Sequence, residues 1–421
     1  MTHVSASELG PVWRDGAFLR YLTARSFSGA GAIITLIALP IMAYRITSSP
    51  TVTAVVAACE AAPYLLFGLV AGAVTDRSNR KLAMVSADTL GGLIVASLPI
   101  AHLCGMITLT HIMLVAFCAP AMGVFFDGAA FGALPTLVGK GRIAEANSVA
   151  VGVQSVIEIA VPSLVGVGLA FVHPSTLMIF DALSYFASAA LIASITRPLY
   201  DVNRVVAPFS ARQLGREISE GLGFLWRHRG VRAMTTVATL QCMVGGAFVA
   251  LMVVWADRQL GVGTQGWRFG LVYASWAIGG VIASFALPSL LRRHSPPWVA
   301  LRMLPVSAIL GLIVPLLDRW WLAALMLSTW ASVYIMVFIN SVSYRQEVTP
   351  ESLLGRVNTT GRMIAWGIGW TGGALSAGVL VSFLGLRGTM LSFASISILS
   401  TVVAWSSPLR HSAPQPVRVA Y

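Results

Sequence analysis

The sequence predicts an all-α membrane protein, with about twelve transmembrane helices in two pseudo-symmetric six-helix halves. Three observations predict it. Of 421 residues, 57% are hydrophobic and only 10% charged, with a mean hydropathy of +0.79. Soluble domains carry roughly 25% charged residues, so hydrocarbon is the natural solvent for this chain. Apolar runs of about 20 residues, enough to cross a bilayer core, recur along its whole length. The cationic residues, finally, are divided very unevenly between alternate loops.

The apolar runs fall near 18–44, 52–73, 82–101, 111–134, 147–171, 175–195, 231–256, 268–291, 298–317, 320–344, 358–384 and 386–406. Glycine and proline recur inside them, as membrane helices tolerate. One long hydrophilic stretch, 196–229, separates them six and six. The expected organisation is an N-terminal half over 1–196, a central loop over 197–230 and a C-terminal half over 231–421. Within the loop, Leu214, Ile218, Leu222 and Leu225 recur at helical spacing among Arg212, Arg216, Glu217 and Glu220. That pattern suits an amphipathic helix lying on the membrane surface; a plain tether is the simpler alternative. The first seventeen residues are polar and the run after them exceeds a signal peptide's apolar core, so no cleaved signal is expected.

Orientation follows from Lys and Arg. With both termini cytoplasmic, twenty of the 28 cationic residues lie on the cytoplasmic side, and five, Arg45, Arg258, Arg268, Arg319 and Arg387, lie on the other. The remaining three, Arg25, Arg302 and Arg362, fall inside spans. A multi-pass membrane protein with both termini cytoplasmic is therefore expected. The same excess accounts for the net charge of +12 and meets anionic headgroups of membrane lipid. Nucleic acid is not an expected partner, because it needs a basic groove on a soluble domain. Cys59, Cys104, Cys118 and Cys242 all lie in apolar runs without a CxxC pair. They read as buried thiols, with no disulfide framework, metal site or cofactor implied.

A charge at mid-bilayer costs on the order of 3 kcal/mol or more, so an ionisable residue inside a span is a functional candidate. Glu60 lies nine residues past Thr51, roughly 14 Å deep at the helical rise. Glu158 lies eleven past Asn147, again near mid-depth. Desolvation favours the neutral acid, so either can load and release a proton; the alternative is a structural carboxylate. Arg25 and Arg362 face a cavity or an acid, or snorkel to the interface. Asp88 is a candidate structural partner for Arg25, and Asp181 reads as helix packing or capping. Gln154, one turn before Glu158, shares its face. With Gln241 and Asn340 it is a candidate lining residue for a central cavity, the alternative being interhelical hydrogen bonds. Trp366 and Trp370 lie deep and four residues apart, where they can stack a ligand or simply pack.

The turn between the second and third spans, Gly72-Ala-Val-Thr-Asp76-Arg77-Ser-Asn-Arg80-Lys81, is dense in charge and too short for a domain. By position alone it marks the cytoplasmic end. It resembles the signature loop of the major facilitator superfamily, G-x-x-x-D-R-x-x-R-K. Asp181-Ala-Leu-Ser-Tyr185, Glu220-Gly-Leu-Gly-Phe-Leu-Trp-Arg-His228 and Leu354-Gly-Arg-Val357 followed by Ala365-Trp-Gly367 are similar to runs of one branch of that superfamily. That branch includes the enterobactin-type siderophore exporters and macrolide efflux proteins. The resemblance covers nearly the whole chain.

The resemblance implies a conformational charge latch of Gly72, Asp76, Arg77 and Arg80 with Asp127, holding the outward-facing state and breaking as the halves rock. Two departures stand out. Ala32 occupies the place of an acid found in the first helix of many proton antiporters, and Val161-Pro162 with Val165-Gly166 replaces a Gly-Pro and Gly-Gly pattern in the fifth. The absence of the first-helix acid is shared by some siderophore exporters. The implied function is export of an amphiphilic small molecule, a siderophore or drug-like compound, by alternating access. Proton antiport is the expected drive, since no Walker-type G-x-x-x-x-G-K-[ST] is present. Proton-coupled uptake of a small nutrient on the same scaffold is the alternative. No catalytic constellation is legible: His102 and His111 bracket one short loop, but no carboxylate or cysteine pattern completes a site. A monomer is expected.

Overall fold

The computed structural model describes residues 11–75, 77–139, 142–169, 171–199 and 211–411. In hydrocarbon each backbone amide must bond within its own segment or within a closed barrel. The chain takes the helical solution. The first half contains α1 (Gly16–Thr47), α2 (Pro50–Thr75), α3 (Arg80–Leu103), α4 (Leu109–Val138), α5 (Ile143–Gly168) and α6 (Pro174–Ala193). Side chains cap the amides left free at several of their starts: Asp15 for α1, Asn79 for α3, Thr108 for α4 and His173 for α6.

The connecting helix α7 (Ala211–Arg227) forms as its periodicity predicts. It does not lie on lipid alone, however. Its Glu220 is bound by Arg216 and by Arg356 of α12 (Glu351–Arg362), and Leu225 is buried against Val231 and Val357. Leu222 and Trp226 remain exposed. The second half continues with α8 (Arg229–Arg258), α9 (Trp267–Leu291), α10 (Pro296–Ile313) and α11 (Trp320–Val348). It ends with α12, a π-helix over Met363–Trp370, and α13 (Thr371–Trp405).

Among the described residues, eleven helical runs are long and apolar enough to cross a membrane, the last being the 50-residue run Arg356–Trp405. At 1.5 Å per residue that run would extend about 75 Å, more than twice the hydrocarbon thickness. Gly385, at φ 65° and ψ 177°, turns it back on itself, a conformation that only glycine adopts without strain. Thr51 donates to the Gly378 carbonyl at one end of the bundle, and Trp405 donates to Leu301 of α10 at the other. The run therefore crosses twice, giving twelve crossings among the described residues.

Each half has its own core at the end carrying the α2–α3 turn, hereafter the basic end. There Phe18, Tyr21, Met84 and Phe126 cluster within the first half, while Met234, Leu304 and Val337 cluster within the second. At the far end one apolar cluster joins both halves, with Ile41, Val165 and Leu169 packed among Phe248, Leu251 and Trp255. The hydrogen bonds between described residues of the two halves all lie toward this end. Tyr44 donates to Asp257 at 2.7 Å, Arg258 donates to Tyr44 at 3.0 Å and to the Ser48 carbonyl at 2.5 Å, and Arg45 donates to the Thr264 carbonyl at 3.0 Å. The halves are thus sealed together at the far end and separate toward the basic end. Of the four cysteines, Cys242 is buried as expected, but Cys104 is exposed, because it caps α3 just beyond its apolar run.

The seal depends on close crossing of α5 and α9. A Cβ on Gly166 would overlap the Gly270 backbone. Gly166→Leu should hold the far end open without disturbing either six-helix core. In a cysteine-free background, Leu251→Cys should then react with a membrane-impermeant maleimide. With Gly166 in place it should stay protected.

Candidate substrate cavity and coupling residues

The cleft between the halves is walled on its first side by α1, α4 and α2. Arg25, ten residues into α1, reaches Asp127 of α4 at 3.5 Å, and their side chains are 36% and 41% exposed despite their depth. The Arg25 guanidinium also donates to the Tyr21 hydroxyl at 3.5 Å, which in turn donates to the Ala130 carbonyl at 2.9 Å. A half-wetted pair of this kind contributes about 1 kcal/mol or less to stability. Its role is to hold two charges in place at the cleft surface.

The latch expected from the resemblance belongs to an outward-facing state. In the present state Asp127 engages Arg25. Arg80 does reach α4, but donates to the Gly132 carbonyl at 2.7 Å, its guanidinium filling the space a Cβ there would need. Arg77 is half-buried at the turn, and Asp76 lies outside the described residues. Gly72 has nothing within 4 Å of a Cβ position; the close approach of α2 and α4 occurs instead at Gly128, beside Ala71 and Thr75. Nor does Asp88 pair with Arg25. It is fully buried, accepts from Ser28 at 3.3 Å, and its Oδ2 has no partner. Asp181, also fully buried, accepts from Thr35 of α1 and locks α1 to α6.

The two acids placed at equal depth have different surroundings. Glu60 is 4% exposed, and neither carboxyl oxygen has a hydrogen-bond partner. Glu158 is exposed and accepts from Gln154 at 3.1 Å, while Gln154 itself lies against Gly29 of α1.

On the second half's side, Arg362 ends α12 with its guanidinium 5.7 Å from the Tyr64 ring of α2, across the cleft. Trp366, in the π-helix, is 37% exposed. It stacks on Trp370 at 5.0 Å and 15° and meets Phe338 of α11 edge-on at 6.0 Å. Gln241 and Asn340 are fully buried between α8 and α11. Both amide atoms of Gln241 and the Asn340 Oδ1 lack partners, while Asn340 Nδ2 donates to Met336. Tyr64, Phe338 and the π-helix were not legible as site features. Only the density of Gly and Trp over 366–370 hinted at unusual backbone there.

A separate cavity of about 250 Å³ opens at the far end, lined by Arg45, His102 and His173 among others. The two imidazoles stack at 4.2 Å and 6°. His173, which caps α6 from outside the span, is pushed down to about 4 by burial, then by His102 and Arg45.

A family model described as transmembrane secretion effector matches residues 6–416. The multidrug efflux pump Tap of Mycolicibacterium fortuitum is 28% identical over 230 residues, 53% of this chain and 56% of that protein. The uncharacterized MFS-type transporter YvqJ of Bacillus subtilis (strain 168) is 22% identical over 210 residues, 49% of this chain and 50% of that protein. The chain thus spans about half the length of the curated relatives it matches. Among solved structures, a bacterial homolog of the human lysosomal transporter Spinster, inward-facing and occupied, aligns with a TM-score of 0.73 at 13% identity, covering 93% of this chain and 96% of that one. The nucleoside transporter NupG aligns at 0.71 and 13%, covering 92% and 98%. These likenesses show the fold alone.

Two outcomes follow from the geometry. Arg25→Asp and Asp127→Arg should each abolish transport of a fluorescent amphiphile, and the double exchange should recover a measurable part of it; no recovery would mean that the pair itself is dispensable. At the far end, the neutral His173 is favoured in the fold. Its contribution is complete above its ordinary 6.5 and declines as pH falls from there toward 4. The unfolding midpoint should therefore drop with acidification more steeply in wild type than in His173→Asn, whose amide oxygen replaces the capping Nδ1 but does not titrate.

Proposed function

We propose that this chain, which belongs to the transmembrane secretion effector family of the major facilitator superfamily, exports an amphiphilic small molecule across the bacterial inner membrane by proton antiport. Its fold and family are those of a multi-pass transporter rather than an enzyme. The observation that carries the alternating-access reading is the one-sided closure: a seal of both halves at the far end, and between them a cleft reached by Arg25, Asp127, Arg362 and Trp366. With the basic end cytoplasmic, as the charge distribution predicts, this is an inward-facing state. The similarity to a multidrug efflux pump supports the outward direction and a drug-like cargo.

Glu60 is the coupling residue in this reading, with Glu158 second. A carboxylate without cation or donor is tolerated in such surroundings only as the neutral acid. Glu60 sits on α2, which packs against α8, α13 and the π-helix of the other half, so rocking of the halves changes its surroundings. Glu158 is wetted in this state and held by Gln154, placed to exchange a proton with the cleft. Arg80, bonded to Gly132 within the first half, belongs with Asp76 and Arg77 to the turn that the resemblance assigns to the outward-facing closure.

Inverted vesicles carrying the protein should accumulate a fluorescent amphiphile when their lumen is acidified. Glu60→Gln should cut the proton-driven part at least about tenfold, the order expected of a lost proton-transfer group, with a smaller loss for Glu158→Gln. Concentration of the same compound inside right-side-out vesicles would establish uptake instead. Undiminished proton-driven efflux in both variants would remove these two residues from coupling.

A further inference from the structure

Eight consecutive residues, Met363–Trp370, are π-helical in the middle of the eleventh crossing. π-helical turns are rare and occur mostly at functional sites, since each forfeits regular α-helical geometry. Here the distortion has a visible result. Gly367 passes against Leu65 of α2 and Gly369 against the Thr239 carbonyl of α8. Trp366 and Trp370 are left stacked on one another, with Trp366 partly open and edged by Phe338.

One turn before Trp366, at the edge of this aromatic platform, stands Arg362. Its side chain is exposed, and it lies over Tyr64 rather than against a carboxylate. No acidic residue pairs with it among those described; Asp127, across the cleft, is taken by Arg25. Among the described residues, Arg25, Asp127 and Arg362 together leave one positive charge in excess across this part of the cleft. The exposed acid of the cleft, Glu158, belongs to α5, which packs against α9 on the other seam between the halves, away from the contact of α2 with the π-helix.

We propose that the transported compound is an aromatic anion, its ring received on Trp366 and its acidic group bound by Arg362. This deepens the transport reading and rests on it. An unpaired guanidinium offers two parallel donors to a carboxylate, sulfonate or phosphate, and an indole face stacks any planar ring. A cationic ring would stack on Trp366 equally well, but beside Arg362 it meets a like charge. The pairing of these two side chains therefore selects for negative charge, not merely for aromaticity.

Fluorescein and rhodamine 123 share a xanthene frame and differ in charge, which isolates the point. Anisotropy titrations with the purified full chain in nanodiscs at pH 8 should show fluorescein binding at least tenfold more tightly than rhodamine 123. Arg362→Gln should erase that preference, and Arg362→Lys should retain part of it. Trp366→Ala should weaken both dyes. Equal or tighter binding of rhodamine 123, binding of neither dye, or a preference unchanged in Arg362→Gln would overturn the proposal. If both dyes are exported by inverted vesicles without regard to charge, the substrate class fails and the exporter reading stands. If the anion preference holds while right-side-out vesicles concentrate fluorescein, the class stands and export fails.

Discussion

A backbone amide in hydrocarbon has no partner except its own chain, and most of this structure follows from that constraint. It forces every crossing into helix, and places helix ends where side chains such as Asp15, Thr108 and His173 can bond the amides left over. The same rule applies to side chains. Asp181 is deep in the first half and is satisfied by Thr35 from a neighbouring helix, so it serves packing. Glu60 and Gln241 are equally deep and unsatisfied. In a medium that penalises unmade hydrogen bonds so heavily, the unsatisfied groups are the ones that invite a proton, a water or a ligand.

The crossings were legible because hydropathy and length are one-dimensional properties, and a bilayer reads them one segment at a time. What surrounds each residue was not, because it depends on how far each helix is rotated about its axis. Glu60 and Glu158 lie at similar depth along their helices, yet one is enclosed and the other exposed. The resemblance joins Asp127 to the loop latch of an outward-facing state. That the register of α1 against α4 also sets it beside Arg25, and brings Arg80 to the Gly132 carbonyl, was not legible. The docking of α7 on α12 is of the same kind: amphipathicity shows that a helix has an apolar face, not whether lipid or protein covers it.

Backbone irregularities were the least legible of all. The π-helix at Met363–Trp370 lies inside apolar sequence that reads as uninterrupted helix, whereas the reversal at Gly385 falls between the predicted spans 358–384 and 386–406. Membrane helices tolerate glycine at so many positions that its presence alone does not mark the one that bends. In this chain the two irregularities belong to a single run, which forms one seam of the cleft at its first part and leaves the interface after the bend.

The polar part of the far-end seal is small. Tyr44 and Asp257 stand in the last turns of α1 and α8, the corresponding first helices of the two halves, and a few hydrogen bonds accompany the large apolar cluster that makes the closure. Each such bond contributes about 1 kcal/mol net. Since about 1.4 kcal/mol is tenfold in an equilibrium, the loss or gain of one or two of them moves the balance between two conformations by roughly tenfold. It follows that the resting partition between inward- and outward-open molecules is an easily adjusted quantity. Relatives that share every helix of this fold can idle facing opposite sides of the membrane through a change at one or two seal positions.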